Sequence, residues 1–424
     1  MPYDATSPSA STRPLSRRQF VAGATAATGV LTTASLLAAE SDRPQAAPPA
    51  EPRKITRKLK LGLIGCGGRG QWIAGLCREH GGFTTHAVAD YFEDVALSVG
   101  DKLGVDKARR FSGLSGYKRL LESGVEAVAI EDVPYFYPEQ AKAAVDAGVH
   151  VYIAKPVAVD VPGTLLIGEV GKLATQKKVC FLVDYQLPTD PAIIEIGHRV
   201  RAGALGPMAH ISSIGFGWQG WPDPPLDKTI ASRLQGQIWL SDTALSGDTI
   251  VSYDIHIIDG LLAVTGRHPV AACGRARTCR PNPHGDRTDV AAVIYEQEDG
   301  VIWTHVTQAI TNNFDVTTLS ASIFGMKATA HVRYDGKVYI RGGDKHYVGN
   351  VTNVFQEGVK RNIANFYGSI TEGRFDNSTV QRAVDGHLTA ILGREAAARR
   401  CYLTMEELLR ENKRLTVDLT GLQA

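Results

Sequence analysis

The sequence predicts a doubly wound α/β domain with a parallel sheet over residues 59–187, followed by an α+β domain over 188–424 with a mostly antiparallel, open sheet. Three observations predict it. From residue 59 onward, short apolar runs alternate with helical segments at the spacing of crossover connections, and a parallel sheet built that way is covered on both faces. After Pro188 the rhythm changes to longer stretches of alternating apolar and polar residues, the pattern of strands with one packed and one free face. A length of 424 residues also exceeds what one hydrophobic core usually serves.

The elements follow in order. Residues 59–64 are an apolar run ending in glycines, 70–78 read as helix, and 84–89 are β-branched and apolar again. Short strands are expected at 127–130, 149–153 and 179–183, with an Ala-rich helix over 139–147 between the first two. A helix over 191–201 leads to a strand near 209–216, a Trp- and Pro-rich loop, and a helix near 250–264. The alternating stretches 291–297, 301–310, 317–324 and 328–332 supply the second sheet. Helical stretches over 351–371 and 379–399 and a short turn at 406–411 follow, and there is no internal repeat.

The first 58 residues stand outside this pattern. Arg17-Arg18 follow Ser16 and precede Gln19-Phe20-Val21, and residues 20–39 then run without a charge through Ala, Gly, Thr, Val and Leu. Basic pair, mild apolar stretch and small residues read as an export signal over 1–39, and Ser-Arg-Arg-Gln-Phe resembles the twin-arginine class. A Pro/Ala-rich linker over 40–58 follows. The expectation is an exported, periplasmic protein, membrane-anchored only if that stretch is retained uncleaved.

A net charge of +2 without a basic run gives no reason to expect a nucleic acid or an anionic membrane as partner, and a small neutral ligand is expected instead. Cys66, Cys77, Cys180, Cys273, Cys279 and Cys401 are too scattered for a disulfide framework or a zinc site. They read as free thiols, with Cys273 and Cys279 on one strand but too far apart to bridge. No His/Cys/Asp cluster has ligand spacing, so no metal is expected.

Gly65-Cys66-Gly67-Gly68-Arg69-Gly70 fits GxGxxG between a strand and a helix, the setting in which that motif has a mechanism. Gly65 permits the tight turn, Gly67 lets a pyrophosphate approach the backbone, Gly70 lets the helix pack on the strand, and the helix N-terminus offers free N–H groups. Asp90 stands 20 residues beyond Gly70, where a carboxylate can accept from both ribose hydroxyls and would repel a 2′-phosphate. NAD is therefore expected over NADP on a Rossmann domain, with an N-cap for a helix starting near Phe92 as the other use of Asp90.

Further segments fall in with this loop. Ala154-Lys155-Pro156 after the fifth strand, Asp190-Pro191 opening a helix that ends in Arg201-Ala202-Gly203-Ala204-Leu205-Gly206, and Ser246-Gly247-Asp248 ahead of His256-Ile257-Ile258-Asp259 complete a pattern that resembles the Gfo/Idh/MocA oxidoreductases over almost all of the chain after Leu59. The resemblance implies a Rossmann domain, a second domain whose open sheet often forms subunit contacts (hence a homodimer or homotetramer), and substrates that are sugars, inositols or their derivatives. It also implies that Lys155 matches the lysine of the family's Glu-Lys-Pro, between cofactor and substrate, and that His256 matches its catalytic histidine. Alcohol oxidation asks for such groups independently: a base for the hydroxyl proton, here His256, and a cation for the developing alkoxide, here Lys155.

The chain departs from the family pattern at Ala154, in place of the Glu before the lysine, at Ser252, in place of an acidic residue, and at Tyr137, in place of a histidine. On a continuous helix Asp248, Ser252, His256 and Asp259 share one face, so Asp248 or Asp259 is expected to orient the imidazole. Tyr185 and Gln186, past the sixth strand, are expected beside the substrate. Trp218, Trp221 and Trp239 flank or occupy a loop over 215–240 that can stack on a sugar or serve as core. Export of a folded protein suits a cofactor that is loaded beforehand and tightly held. Three functions stand open: an NAD-dependent dehydrogenase of a sugar, cyclitol or glycoside; an NAD-dependent glycoside hydrolase or lyase using transient oxidation and elimination, with Tyr185 as acid/base; and a non-catalytic sugar- or nucleotide-binding protein.

Overall fold

The computed structural model describes residues 55–217, 229–280, 285–310 and 318–424, so the expected export signal and the residues Trp218 and Trp221 lie outside it. Leu59–Ile64 (β1), Phe83–Asp90 (β2), Arg110–Ser112 (β3), Ala127–Ile130 (β4), His150–Ile153 (β5) and Phe181–Val183 (β6) form a parallel sheet in the order β3-β2-β1-β4-β5-β6. The strand order reverses at β1, between β2 and β4. The crevice outside the carboxyl ends there is where open α/β sheets bind ligands.

Alternate residues of these strands enter two different core layers. Leu59, Leu61 and Leu63 pack with Ile73 and Leu76 of Gly68–His80 (α1), whereas Val128, Ile130 and Ile153 pack with Ala141 of Tyr137–Asp146 (α2) and Ile167 of Val161–Gln176 (α3). Periodicity does not anticipate α3, which carries three glycines, nor β3 and the helix Gly116–Glu122. At Gly171 of α3 an added Cβ would fall 2.6 Å from a methyl of Val380, so the glycine weakens the helix locally but allows a later helix to press against it.

The second sheet contains Met208–Gly217 (β7), Pro269–Arg277 (β8), Val290–Gln297 (β9), Ile302–Ala309 (β10), Thr318–Gly325 (β11), Thr329–Arg333 (β12), Gly336–Arg341 (β13), Tyr347–Val351 (β14) and Leu403–Thr404 (β15). Their order is β14-β13-β12-β11-β7-β10-β9-β8-β15; β7 and β10 run parallel and the other paired strands antiparallel. Strict alternation gives one buried face and one on which Ile294, Ile302, Val306 and Phe324 are 38–49% exposed. Cys279 does not share a strand with Cys273: β8 ends at Arg277, and Cys279 is exposed beyond it. Among the described residues no helix is long and apolar enough to cross a membrane, and no group of His, Cys, Asp and Glu is placed to hold a metal ion.

Pro191–Arg201 (α4) and Ile255–Thr265 (α5) underlie the second sheet; of the last long helices, Val354–Glu372 (α6) returns to the first, and Ser378–Arg399 (α7) packs on β8 and β9 of the second as well as on β6 and α3 of the first. Val359, Ile363, Phe366 and Ile370 of α6 share a core layer with β1 and α1. Phe366, 1% exposed, stacks on Phe83 at 6.0 Å and meets Tyr152 edge-on at 5.7 Å. Phe366→Ala should therefore cost about 3–5 kcal/mol in urea unfolding, the usual range for emptying a large aromatic site in a core. A loss below about 1 kcal/mol, no more than a typical substitution costs, would show that α6 is not an integral part of this core.

Candidate active site

The glycine loop is shaped by backbone approach. Gly65 has φ +88°, and a Cβ there would lie 2.5 Å from the backbone of Glu131 and Asp132. At Gly70 a Cβ would lie 2.0 Å from the Gly65 carbonyl oxygen, so α1 sits directly on the turn. Gly67 and Gly68 instead face open space, with nothing within 4 Å of an added Cβ, and α1 starts without a side-chain cap. Uncapped first-turn N–H groups beside bare Cα atoms suit a pyrophosphate.

These glycines line a cavity of about 1130 Å³ that continues past Asp90 and Tyr137 to Lys155, Ser252, His256 and Trp239. Asp90 Oδ2 accepts from the Cys66 N–H at 2.8 Å and Oδ1 from the Phe92 N–H at 3.0 Å, while burial raises its carboxyl above the usual range. Phe92 itself is the residue flanking the next helix, so Asp90 closes the turn before it rather than capping it. Cys66 and Gly70 do not line the cavity: the Cys66 N–H is taken by Asp90, its thiol donates to the Ala89 carbonyl, and Gly70 is packed against Gly65.

Arg69 reaches across the sheet edge. Its guanidinium pairs with Glu131 at 2.9 Å and with Asp184 at 2.5 Å, two carboxylates that directly follow β4 and β6. Burial pushes the Glu131 carboxyl up to about 7 against the pull of Arg69. Sequence reasoning singles out neither acid; their position immediately past a parallel strand was the available signal.

Ile250–Asp254 forms a π-turn that leads into α5. Its Ser252 carbonyl accepts from Lys155 Nζ at 2.7 Å, so Ser252 contributes its backbone rather than a replacement for the missing acid. Burial, then Arg69, brings the Lys155 amine down to about 7. Burial, then Lys155 and Arg69, hold the His256 imidazole well below its usual pKa, hence neutral near pH 7. Asp254 points away and accepts from His305 Nε2 at 3.0 Å, tying the turn to β10.

Four expected site residues lie elsewhere. Asp248, at φ +74°, accepts from Thr288 and the Thr249 N–H; Asp259 accepts from Arg382 at 2.8 Å. Neither orients His256: the left-handed Asp248 and the π-turn shift Asp248 out of the phase that a continuous helix would impose, and Asp259, on the same regular helix as His256, is taken by Arg382. Tyr185, 1% exposed, has its hydroxyl 3.2 Å from His387 of α7, and Gln186 is fully buried beneath α6. The partner of His256 Nδ1 is the hydroxyl of Tyr334, at 3.3 Å, which sequence reasoning misses.

No family model matches the chain. Over 183 residues, 42% of its length, it is 28% identical to myo-inositol dehydrogenase Hyg17 of Streptomyces leeuwenhoekii, of which it spans 50%. Over 124 residues it is 31% identical to an uncharacterised oxidoreductase of Synechocystis sp., of which it spans 32%. The chain thus spans half or less of these curated relatives. Among solved structures, aldose-aldose oxidoreductase from Caulobacter crescentus superposes with a TM-score of 0.66 at 17% identity, covering 82% of this chain and 100% of that one. Levoglucosan dehydrogenase in complex with NADH and levoglucosan gives 0.66 at 16% identity with the same coverage, and myo-inositol 2-dehydrogenase from Lactobacillus plantarum gives 0.64 at 18%, with 82% and 99% covered.

The chain shares their fold.

The depressed Lys155 amine has a consequence for stability. Its folded-state pKa of about 7 lies below the unfolded 10.5, so the unfolded chain binds the extra proton between those values and the lysine's cost is complete below about 7. That cost disappears as pH rises toward 10.5. Lys155→Met should therefore gain most over the parent near pH 7 and progressively less toward pH 10, measured by urea unfolding at each pH. A stability difference that stays flat across the window would contradict a buried lysine whose proton affinity is depressed.

Proposed function

We propose that the protein is an NAD-dependent oxidoreductase of the Gfo/Idh/MocA type that oxidises a hydroxyl of a sugar, cyclitol or glycoside. The observation that carries this reading is one continuous cavity joining an uncapped glycine-loop helix to a neutral histidine and a lysine. The dehydrogenase activities named for the inositol and levoglucosan enzymes of the same fold support it.

The residues present fit a dinucleotide. Gly65, Gly67, Gly68 and Arg69 line the loop at which its pyrophosphate would lie, and the Asp90 carboxylate at the ribose end favours NAD over NADP. Bound NAD would supply the hydride acceptor. His256 takes the hydroxyl proton, for which a neutral imidazole is required, and Lys155 stabilises the charge that develops on the oxygen. Ser252 holds the lysine through its carbonyl, and Tyr137 and Trp239 wall the pocket. The hydrolase reading loses its acid/base, because Tyr185 faces His387 instead of the cavity.

A tightly held cofactor is supported by the last residues of the chain, where Leu114 N–H donates to the Gln423 carbonyl at 3.1 Å while Leu419 and Ala424 line the cavity rim. Homo-oligomerisation is supported by the apolar outer face of the second sheet, and twin-arginine export by Arg17-Arg18 and the uncharged stretch after them.

Lys155→Met and His256→Asn should each retain NAD but lose about 10²-fold or more in single-turnover reduction of bound NAD by a reactive sugar or cyclitol. Parent-like rates in both variants would remove these residues from the chemistry; absence of reduction in the parent across a broad panel would favour a binding protein. In calorimetric titration NAD should bind more tightly than NADP, and the reverse order would overturn the role of Asp90.

A further inference from the structure

A histidine that serves as base must offer a bare nitrogen to the substrate, and three side chains outside the cavity decide which nitrogen of His256 is bare. Gln186 Nε2 lies 2.8 Å from both the carbonyl oxygen and Oδ2 of Asp184. The carbonyl oxygen only accepts, and Oδ2 faces the Arg69 guanidinium, so the amide turns its NH₂ to them and its Oε1 away. Oε1 meets the Tyr334 hydroxyl at 2.5 Å, and an amide oxygen only accepts, so the single phenolic proton lies on that bond. Toward His256 Nδ1, at 3.3 Å, the Tyr334 oxygen is then an acceptor and Nδ1 carries the hydrogen.

We propose that Gln186 and Tyr334 are positioning residues that lock His256 in its Nδ1–H tautomer and leave the Nε2 lone pair to take the substrate proton. Nε2 has no hydrogen-bond partner among the described residues, and His256 lines the cavity. The lock is rigidly built. Asp184 is also held by Asn362 Nδ2 at 2.8 Å, and the backbone of α6 presses on Gln186 so closely that a Cβ at Gly358 would lie 2.5 Å from the Gln186 Cβ. The Tyr334 ring lies 4.9 Å from the imidazole. When Nε2 accepts a proton, the Nδ1–H bond to Tyr334 stays in place, so the imidazolium forms without a ring flip.

The tautomer itself is independent of the oxidoreductase reading, and its use in catalysis rests on it. Protein labelled with ¹⁵N-histidine, examined by long-range ¹H–¹⁵N correlation near pH 8, reports the tautomer directly, with the His256 signals assigned by their loss in His256→Asn. The parent should show Nδ1–H. Gln186→Met removes the acceptor and frees the Tyr334 proton to turn to Nδ1, so His256 should change to Nε2–H; a merely structural role for Gln186 would not invert the tautomer. With a substrate that reduces bound NAD, the same variant should lose about tenfold or more in kcat with KM little changed. An Nε2–H signal in the parent overturns the proposal even if the enzyme turns over. An Nδ1–H signal in a parent that oxidises no substrate upholds the lock and refutes the oxidoreductase reading instead.

Discussion

Arg69 is a cation held between two carboxylates at the carboxyl edge of a parallel sheet, and most of the site depends on that arrangement. A buried charge must be paired, and removing one partner of such a pair commonly costs about 3–5 kcal/mol. Here the pairing also sets positions. Arg69 belongs to the glycine loop, Glu131 follows β4 and Asp184 follows β6, so the three charges staple the first helix to both strands beside the topological switch point. Asp184 carries the constraint onward to Asn362 of α6 and to Gln186.

The same cation sets the electrostatics. It lowers the affinity of Lys155 and His256 for protons, adding to the effect of burial, while Glu131 remains high enough to titrate near neutrality. Lysine and glutamate thus stand near the point at which each can change protonation without a large cost, while the histidine is kept neutral. That condition suits proton transfer and follows from crowding several charges where little water reaches them.

Packing makes the arrangement stiff. Glycines occur where backbones must touch: Gly70 on the loop, Gly171 against α7, Gly358 against Gln186. The helices that close the chain do not complete the second sheet alone. α6 returns to the first and α7 packs on both, and Tyr334, carried on the second sheet, meets Gln186, which follows the first, across the seam beside the cavity.

The sequence by itself determined the features that depend on neighbours along the chain. Strand alternation, the helix over 191–201 and the GxGxxG turn are local; Gly65 and Gly70 are glycines because their own backbone geometry demands it. Lys155 and His256 were marked by motif and occupy one cavity. Tertiary structure alone decided where the remaining side chains point. A π-turn changed the phase of the helix, so Asp248 left the face that a regular period assigns it, and Arg382, far along the chain, took Asp259. Tyr185 and Gln186 were turned inward by α6 and α7, which lie far along the chain. The pairs that organise the site, Arg69 with Asp184 and Gln186 with Tyr334, are separated by 115 and 148 residues. No periodicity reports a contact at that range, because it exists only once two sheets have brought their edges together.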